Sequence, residues 1–188
     1  TLDVIGTYNH AATYSNSALT NTASTLPVPN PSADGWNLVG NPYPSTIDWN
    51  AASGWTKTNI SSAIYAYDSR TNRYTSYVAG IGTNGGSRYI GSMQGFFVKV
   101  TSPGTGTLAL TNATRLITPM TDVWRTESEE SLLRLTASHG DNSDETVIRF
   151  NANASEEIDQ QFDAYKWENG GEVPRLSSIS ATDEYAVN

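Results

Sequence analysis

The sequence predicts an all-β protein: an antiparallel, jelly-roll-like β-sandwich followed by a second β-rich module with one short helix. Three observations predict it. Short runs of alternating apolar and polar residues recur along the chain, each bounded by Gly, Pro, Asn or Asp. Charged residues make up only 16% of the 188 residues and aromatics 10%, with Thr, Ser, Asn and Gly filling the balance. That mixture suits pleated strands and turns, with rings rather than Leu and Ile filling the interior. Finally, Trp36-Asn-Leu-Val39 reads as a strand that Gly40-Asn-Pro-Tyr-Pro44 cannot continue. Pro42 and Pro44 remove two backbone donors and hold the preceding residues extended. The chain must leave a sheet there through a rigid corner that Tyr43 and Trp49 can plug.

The elements follow in order. Thr1 to Thr7 alternates and reads as a strand, and Leu26 to Pro31 as an extended loop. After the corner, residues 49–55 make a short turn or a single helical turn. Residues 62–67 and 73–78 are two strands joined by the turn Asp68-Ser-Arg-Thr-Asn72, which together form a hairpin. Gly80 to Gly86 is a glycine loop. Gln94 to Val100 is the strongest strand, and Thr107 to Thr111 closes the first module. Further on, 131–137 and 146–150 are strands joined by a loop over 139–144. Residues 154–166 carry the only helical pattern, with Ile158, Phe162 and Tyr165 on one face and acids in the first turn. Residues 174–179 and 185–187 are short strands.

Charge divides the chain. Residues 1–118 hold four acids against six bases, residues 119–188 fifteen acids against five bases, and no Glu precedes Glu127. The shift places a module boundary at 118/119, giving an aromatic-rich sandwich over 1–118 and an acidic β-rich module over 119–188. The second is short for a sandwich and is expected to be truncated. The chain opens on Thr1, as an excised or processed piece would. With no Cys, neither a disulfide nor a thiolate metal site can form. No apolar run approaches a membrane span, so membrane insertion is not expected, and no basic stripe invites nucleic acid.

Three segments carry a family resemblance. They are Gly35-Trp-Asn-Leu-Val-Gly-Asn-Pro-Tyr-Pro-Ser45 with Ile47-Asp-Trp49, Met93-Gln-Gly-Phe-Phe-Val98 behind Tyr65, Tyr74 and Tyr77, and Asp144-Glu-Thr-Val-Ile-Arg-Phe150 with Phe162-Asp-Ala-Tyr-Lys166. In this order the chain from Asp34 onward resembles the non-catalytic β-sandwich region upstream of the sorting domain in large secreted proteins of the Bacteroidota, exported by the type IX secretion system. The resemblance implies an extracellular or cell-surface setting beside other domains of the same polypeptide. It implies no particular activity.

The residues themselves argue against an enzyme. Only His10 and His139 are available, no Gly-x-Ser-x-Gly turn occurs, and the aromatic-rich part offers only Asp48 and Asp68 as opposed carboxylates. A polysaccharide or surface glycan is the partner best suited to residues 36–97, which hold eleven aromatic residues. Most are expected to be core. Trp55 and Tyr74, near turns, together with Tyr77, Arg88 and the glycine loop as a wall, form the candidate glycan site. No cofactor is expected, with calcium as the one ion to consider. An EF-hand starting at Asp141 fails, because Thr146 and Ala152 stand where Gly and Glu are required. A looser site would draw on Asp141, Asp144, Asp159 and Asp163; the plainer reading is an acidic turn facing water. The leading function is therefore an extracellular structural or adhesive module, and the alternative a carbohydrate-binding module attached to a polysaccharide-degrading enzyme.

Overall fold

The computed structural model describes residues 12–13, 19–21, 35–101, 104–116, 131–152, 154–155, 157–180 and 183–188. The strand expected over 1–7, the loop 26–31, the boundary at 118/119 and His10 lie outside them. In chain order the strands are β1 (Ala12–Thr13), β2 (Leu19–Asn21), β3 (Trp36–Gly40), β4 (Ile47–Asp48) and β5 (Trp55–Thr58). Next come β6 (Ile64–Asp68), β7 (Arg73–Val78), β8 (Ile81–Thr83), β9 (Tyr89–Ile90), β10 (Gly95–Lys99) and β11 (Gly104–Leu110). The last are β12 (Ser131–His139), β13 (Asn142–Phe150), β14 (Ala164–Tyr165), β15 (Ser178–Ser180) and β16 (Asp183–Val187). The protein is all-β, and its sheets are antiparallel except where β13 meets β16 in parallel.

Strands β3-β10-β6-β7-β8 form a five-stranded central sheet. Successive side chains on a strand point to opposite faces, and here both faces are covered. Ile64, Tyr77, Phe96 and Val98 join Leu108 and Leu110 of β11 and the corner residues Tyr43, Ile47 and Trp49 in one core. Their chain neighbours Tyr65, Val78 and Phe97 face the other way, against Val147, Ala164 and Val187 and the half-buried Tyr165 and Trp167. Strand β11 carries β1, β2 and β5 on the first side, while β12-β13-β16-β14 form the sheet on the second. The acidic portion therefore shares a core with the aromatic-rich portion. Trp167 is the plug, with ring centroids 4.6 Å from Trp36, 4.7 Å from Tyr74 and 4.9 Å from Phe97.

The corner is held by one amide. Asn41 is buried; its Nδ2 donates to the carbonyls of Ser45 (2.8 Å), Ile90 (3.2 Å) and Gly91 (2.8 Å), and its Oδ1 accepts from the Tyr43 N–H at 2.9 Å. Two backbone groups of the corner and two at the end of β9 are satisfied in this way.

Three expectations need correction. The helix over 154–166 does not form: the described residues there make turns and β14. The Asp163 carboxylate accepts the Asp159 N–H at 2.6 Å, and the Asp159 carboxylate accepts the Gln161 N–H at 2.8 Å. These local side-chain bonds compete with helical ones, and Tyr165 is drawn out to pair with β16. The glycine loop contains β8 and a tight turn at Asn84 (φ 53°) and Gly85 (φ 85°). The loop over 139–144 is mostly strand, with β12 and β13 turning at Gly140.

Replacing Asn41 by Ala leaves several buried carbonyls and an N–H unmatched, so N41A is expected to lower unfolding stability by about 2–4 kcal/mol. Urea denaturation of the variant checks this; a loss inside the error of the fit would show that the corner holds without the amide.

Candidate functional site

A cleft of about 360 Å³ opens beside the β6–β7 hairpin. Ile64, Ala66 and Asp68 of β6, Thr75 and Tyr77 of β7, and Gln94 and Phe96 line it from the central sheet. Gly85, Gly86, Ser87 and Tyr89 form the opposing wall, and Tyr67 and Arg70 also reach it. The wall can approach because two glycines lack side chains. A Cβ on Gly86 would lie 2.1 Å from the Ser76 carbonyl oxygen, and one on Gly82 only 1.8 Å from that of Gly86. Both clashes are with backbone, which cannot swing aside.

The cleft combines phenol rings with hydroxyl, amide and charged groups. Tyr67 is 46% exposed and so presents a ring to solvent. The single carboxylate in the lining, Asp68, pairs with Arg70 at 3.2 Å. The Arg70 backbone N–H, aided by its guanidinium, holds this carboxyl below its usual range. The charges of the cleft thus cancel locally, and its chemistry suits a neutral, hydroxyl-rich ligand.

The structure places the expected glycan residues differently. Tyr77 lines the cleft, but its ring is buried in the core and its hydroxyl accepts from Asn50 Nδ2 at 2.6 Å. The glycine loop does form a wall. Trp55, Tyr74 and Arg88 lie elsewhere. Trp55 donates from Nε1 to the Asp48 carbonyl at 2.8 Å and packs on Trp49. Tyr74 packs at tilted angles between Tyr67 and Trp167. Arg88 clasps the buried Asp48 carboxylate with two bonds of 2.6 and 2.5 Å. Three of the four thus hold the fold around the cleft, and their ring and guanidinium chemistry is spent on protein partners.

The acidic residues considered for calcium are also dispersed. Asp141 is exposed in the β12–β13 turn. Asp144 is fully buried, its oxygens taken by Lys166 Nζ, Asn84 Nδ2 and the Leu176 N–H. Asp159 and Asp163 close the turn already described. Among the described residues no group of three metal-ligating side chains converges. His139 is exposed at the end of β12.

Sequence reasoning missed Tyr67, Asp68, Arg70, Tyr89 and Gln94. Three of them, Tyr67, Asp68 and Arg70, sat in or beside a segment read as a connecting turn. The available signal was the hairpin itself: an Asp and an Arg two residues apart at its tip, next to a Tyr that alternates away from the apolar face.

Fold and cleft together define an all-β protein with a doubly covered central sheet and a ring-lined, charge-balanced cleft. Residues 5–188 match the family model described as a domain of unknown function (DUF8693), and the chain belongs to that family. No curated protein and no solved structure matches it.

Behind the corner, Lys57 Nζ lies 3.4 Å from the Trp49 ring centroid and 5.1 Å from that of Trp55, and donates to the Trp49 carbonyl at 2.8 Å. Burial draws its pKa from 10.5 down to about 8, against the attraction of Asp48. The folded protein therefore releases this proton at a pH where the unfolded chain still holds it. Its contribution to stability rises between about pH 8 and 10.5 and is lost as pH falls through 8. The Lys57 amine should titrate near pH 8 in lysine side-chain NMR, and K57M should remove both that signal and the rise of stability above pH 8. A Lys57 resonance titrating near the ordinary lysine value of 10.5 would refute it.

Proposed function

We propose that this chain is an extracellular, non-catalytic structural and adhesive module of a secreted bacterial surface protein, and that it contacts glycans through the cleft beside the β6–β7 hairpin. The observation that carries the reading is the lining of that cleft: Tyr67 and Tyr89 offer rings, and Asp68, Arg70, Ser87 and Gln94 offer hydrogen-bonding groups beside them. A flat ring covers the apolar face of a sugar, and polar neighbours take its hydroxyls. The packing of Tyr43, Trp49, Tyr77 and Phe96 in one core and of Tyr65, Phe97 and Trp167 in the other supports a scaffold role for the remainder. The resemblance of the Gly35–Trp49 corner and the Asp144–Phe150 segment to the region upstream of type IX sorting domains supports a place on the cell surface, next to other domains of one polypeptide.

The alternative, a carbohydrate-binding module serving a polysaccharide-degrading enzyme, is favoured by the exposure of Tyr67. The two differ in ligand, surface glycans for the first and storage or structural polysaccharides for the second. An array carrying both classes separates them. Y67A and Y89A should each weaken binding by roughly tenfold, about 1.4 kcal/mol, while Y74F leaves it unchanged. Wild-type protein giving no signal above background on either class would end the glycan reading.

A further inference from the structure

A buried trio of polar side chains joins the end of β8 to the sheet on the second face. Lys166 follows β14, Asp144 lies in β13, and Asn84 follows β8. Their exposures are 8%, 0% and 7%, so all three are more than nine-tenths out of water. Lys166 Nζ lies 2.6 Å from Asp144 Oδ1, and Asn84 Nδ2 donates to the same oxygen at 2.8 Å. One carboxylate oxygen thus holds an amine and a carboxamide side by side. Asn84 Oδ1 is buried without a hydrogen-bond partner among the described residues, although its amide also donates to the Tyr74 carbonyl at 2.8 Å. Tyr74 and Trp167 line a void of about 10 Å³ at Lys166.

We infer that Lys166 and Asn84 are joined by a side-chain amide bond formed within the folded protein, with Asp144 as the proton-transferring group. Asp144 takes a proton from the Lys166 ammonium, leaving an amine whose lone pair attacks Cγ of Asn84. The new C–Nζ bond forms and the Cγ–Nδ2 bond breaks. A second proton passes from Nζ to Nδ2, which Asp144 already touches, and ammonia departs. Asp144 keeps the first proton and the lysine nitrogen keeps one hydrogen, so no oxidant or co-reactant is needed. Holding the amine and the amide on one carboxylate oxygen raises their effective concentration, and proton delivery to Nδ2 assists a leaving group that is otherwise poor. Burial favours the neutral amine, the nucleophilic form, and lowers the Lys166 pKa. The bond ties the β7–β8 hairpin to the sheet on the second face, a covalent clasp in a chain with no cysteine.

Mass spectrometry of the intact, denatured wild-type protein tests this. The expected mass is lower than the sequence mass by one ammonia. Tandem spectra of a tryptic digest should contain a branched peptide joining Asn84 to Lys166, with no cleavage after Lys166. K166R and N84A should each restore the full sequence mass. Wild type at the full sequence mass overturns the proposal, and needs no variant to fold. An ammonia deficit that persists in K166R also overturns it, because Asn84 precedes Gly85 and could then have closed on its own backbone as a succinimide.

Discussion

The structure depends on a sheet that is packed on both faces. Strands β3-β10-β6-β7-β8 bury alternate residues against different partners. Ile64 and Tyr65, or Phe96 and Phe97, are neighbours in sequence that serve separate cores. Sheets buried on both sides usually lean on Val, Ile and Leu. Here rings do much of that work, and their geometry is specific. Trp167 meets Trp36 nearly edge-on, at 80°, and Tyr74 and Phe97 at tilts of 44°. Aromatic pairs favour such offset arrangements over face-to-face stacking. One inserted indole can therefore satisfy three neighbours on the sheet and fix the angle at which the outer layer lies.

Apolar contact alone would leave that layer free to slide, since burial is non-directional. A polar seam sets the register. Arg134 donates to the Gly82 carbonyl at 3.0 Å and pairs with Glu145 at 2.9 Å; Arg73 donates to the Ser143 carbonyl at 2.8 Å; Arg149 donates to the Ala79 carbonyl at 2.8 Å. Each bond joins the β7–β8 hairpin to β12 or β13, or braces a residue that does. At the centre lies the Lys166–Asp144 pair. Burial raises the Asp144 carboxyl, but hydrogen bonds from Lys166, Asn84 and the Leu176 N–H outweigh it and hold the carboxyl below its ordinary value. Such a pair is a poor source of net stability, because desolvation opposes the attraction. Its geometry nonetheless admits only one alignment of the two layers. The uneven charge of the chain thus has a structural reading: some acids of the second portion are partners for the seam, not a face offered to solvent.

These contacts also mark where sequence reading stops. The corner, the 62–78 hairpin and β10 were legible because their signals are local: prolines, a turn tetrad and strict alternation. The helix over 154–166 was misread because Ile158, Phe162 and Tyr165 have helical spacing, while the bonds that decide the matter come from Asp159 and Asp163 to nearby backbone. Asp144 looked like an ion ligand because its neighbours are acidic. Its lysine stands 22 residues away and its asparagine 60, and no window along the chain joins them. The cleft was half visible. Its glycine wall could be anticipated, but Tyr67 and Tyr89 were two rings among eleven, and only the layers decide which rings remain uncovered.

The abundance of asparagine follows from the same architecture. Three tight positions with left-handed backbone are filled by Asn59, Asn72 and Asn84, at φ of 56°, 51° and 53°. Glycine would adopt that conformation with less strain, but it would bring no side chain. Each asparagine uses its amide to reach another segment. Asn59 Oδ1 accepts from the Thr101 hydroxyl at 2.6 Å, Asn72 Oδ1 from the Tyr67 hydroxyl at 3.3 Å, and Asn84 Nδ2 reaches both Tyr74 and Asp144. The Asn72 carbonyl also receives the Gly170 N–H at 2.7 Å, tying the hairpin tip to the opposite layer. In a chain without disulfides, the turns themselves act as fasteners between segments, and a glycine at 59 or 84 would keep the turn while losing the side-chain tie.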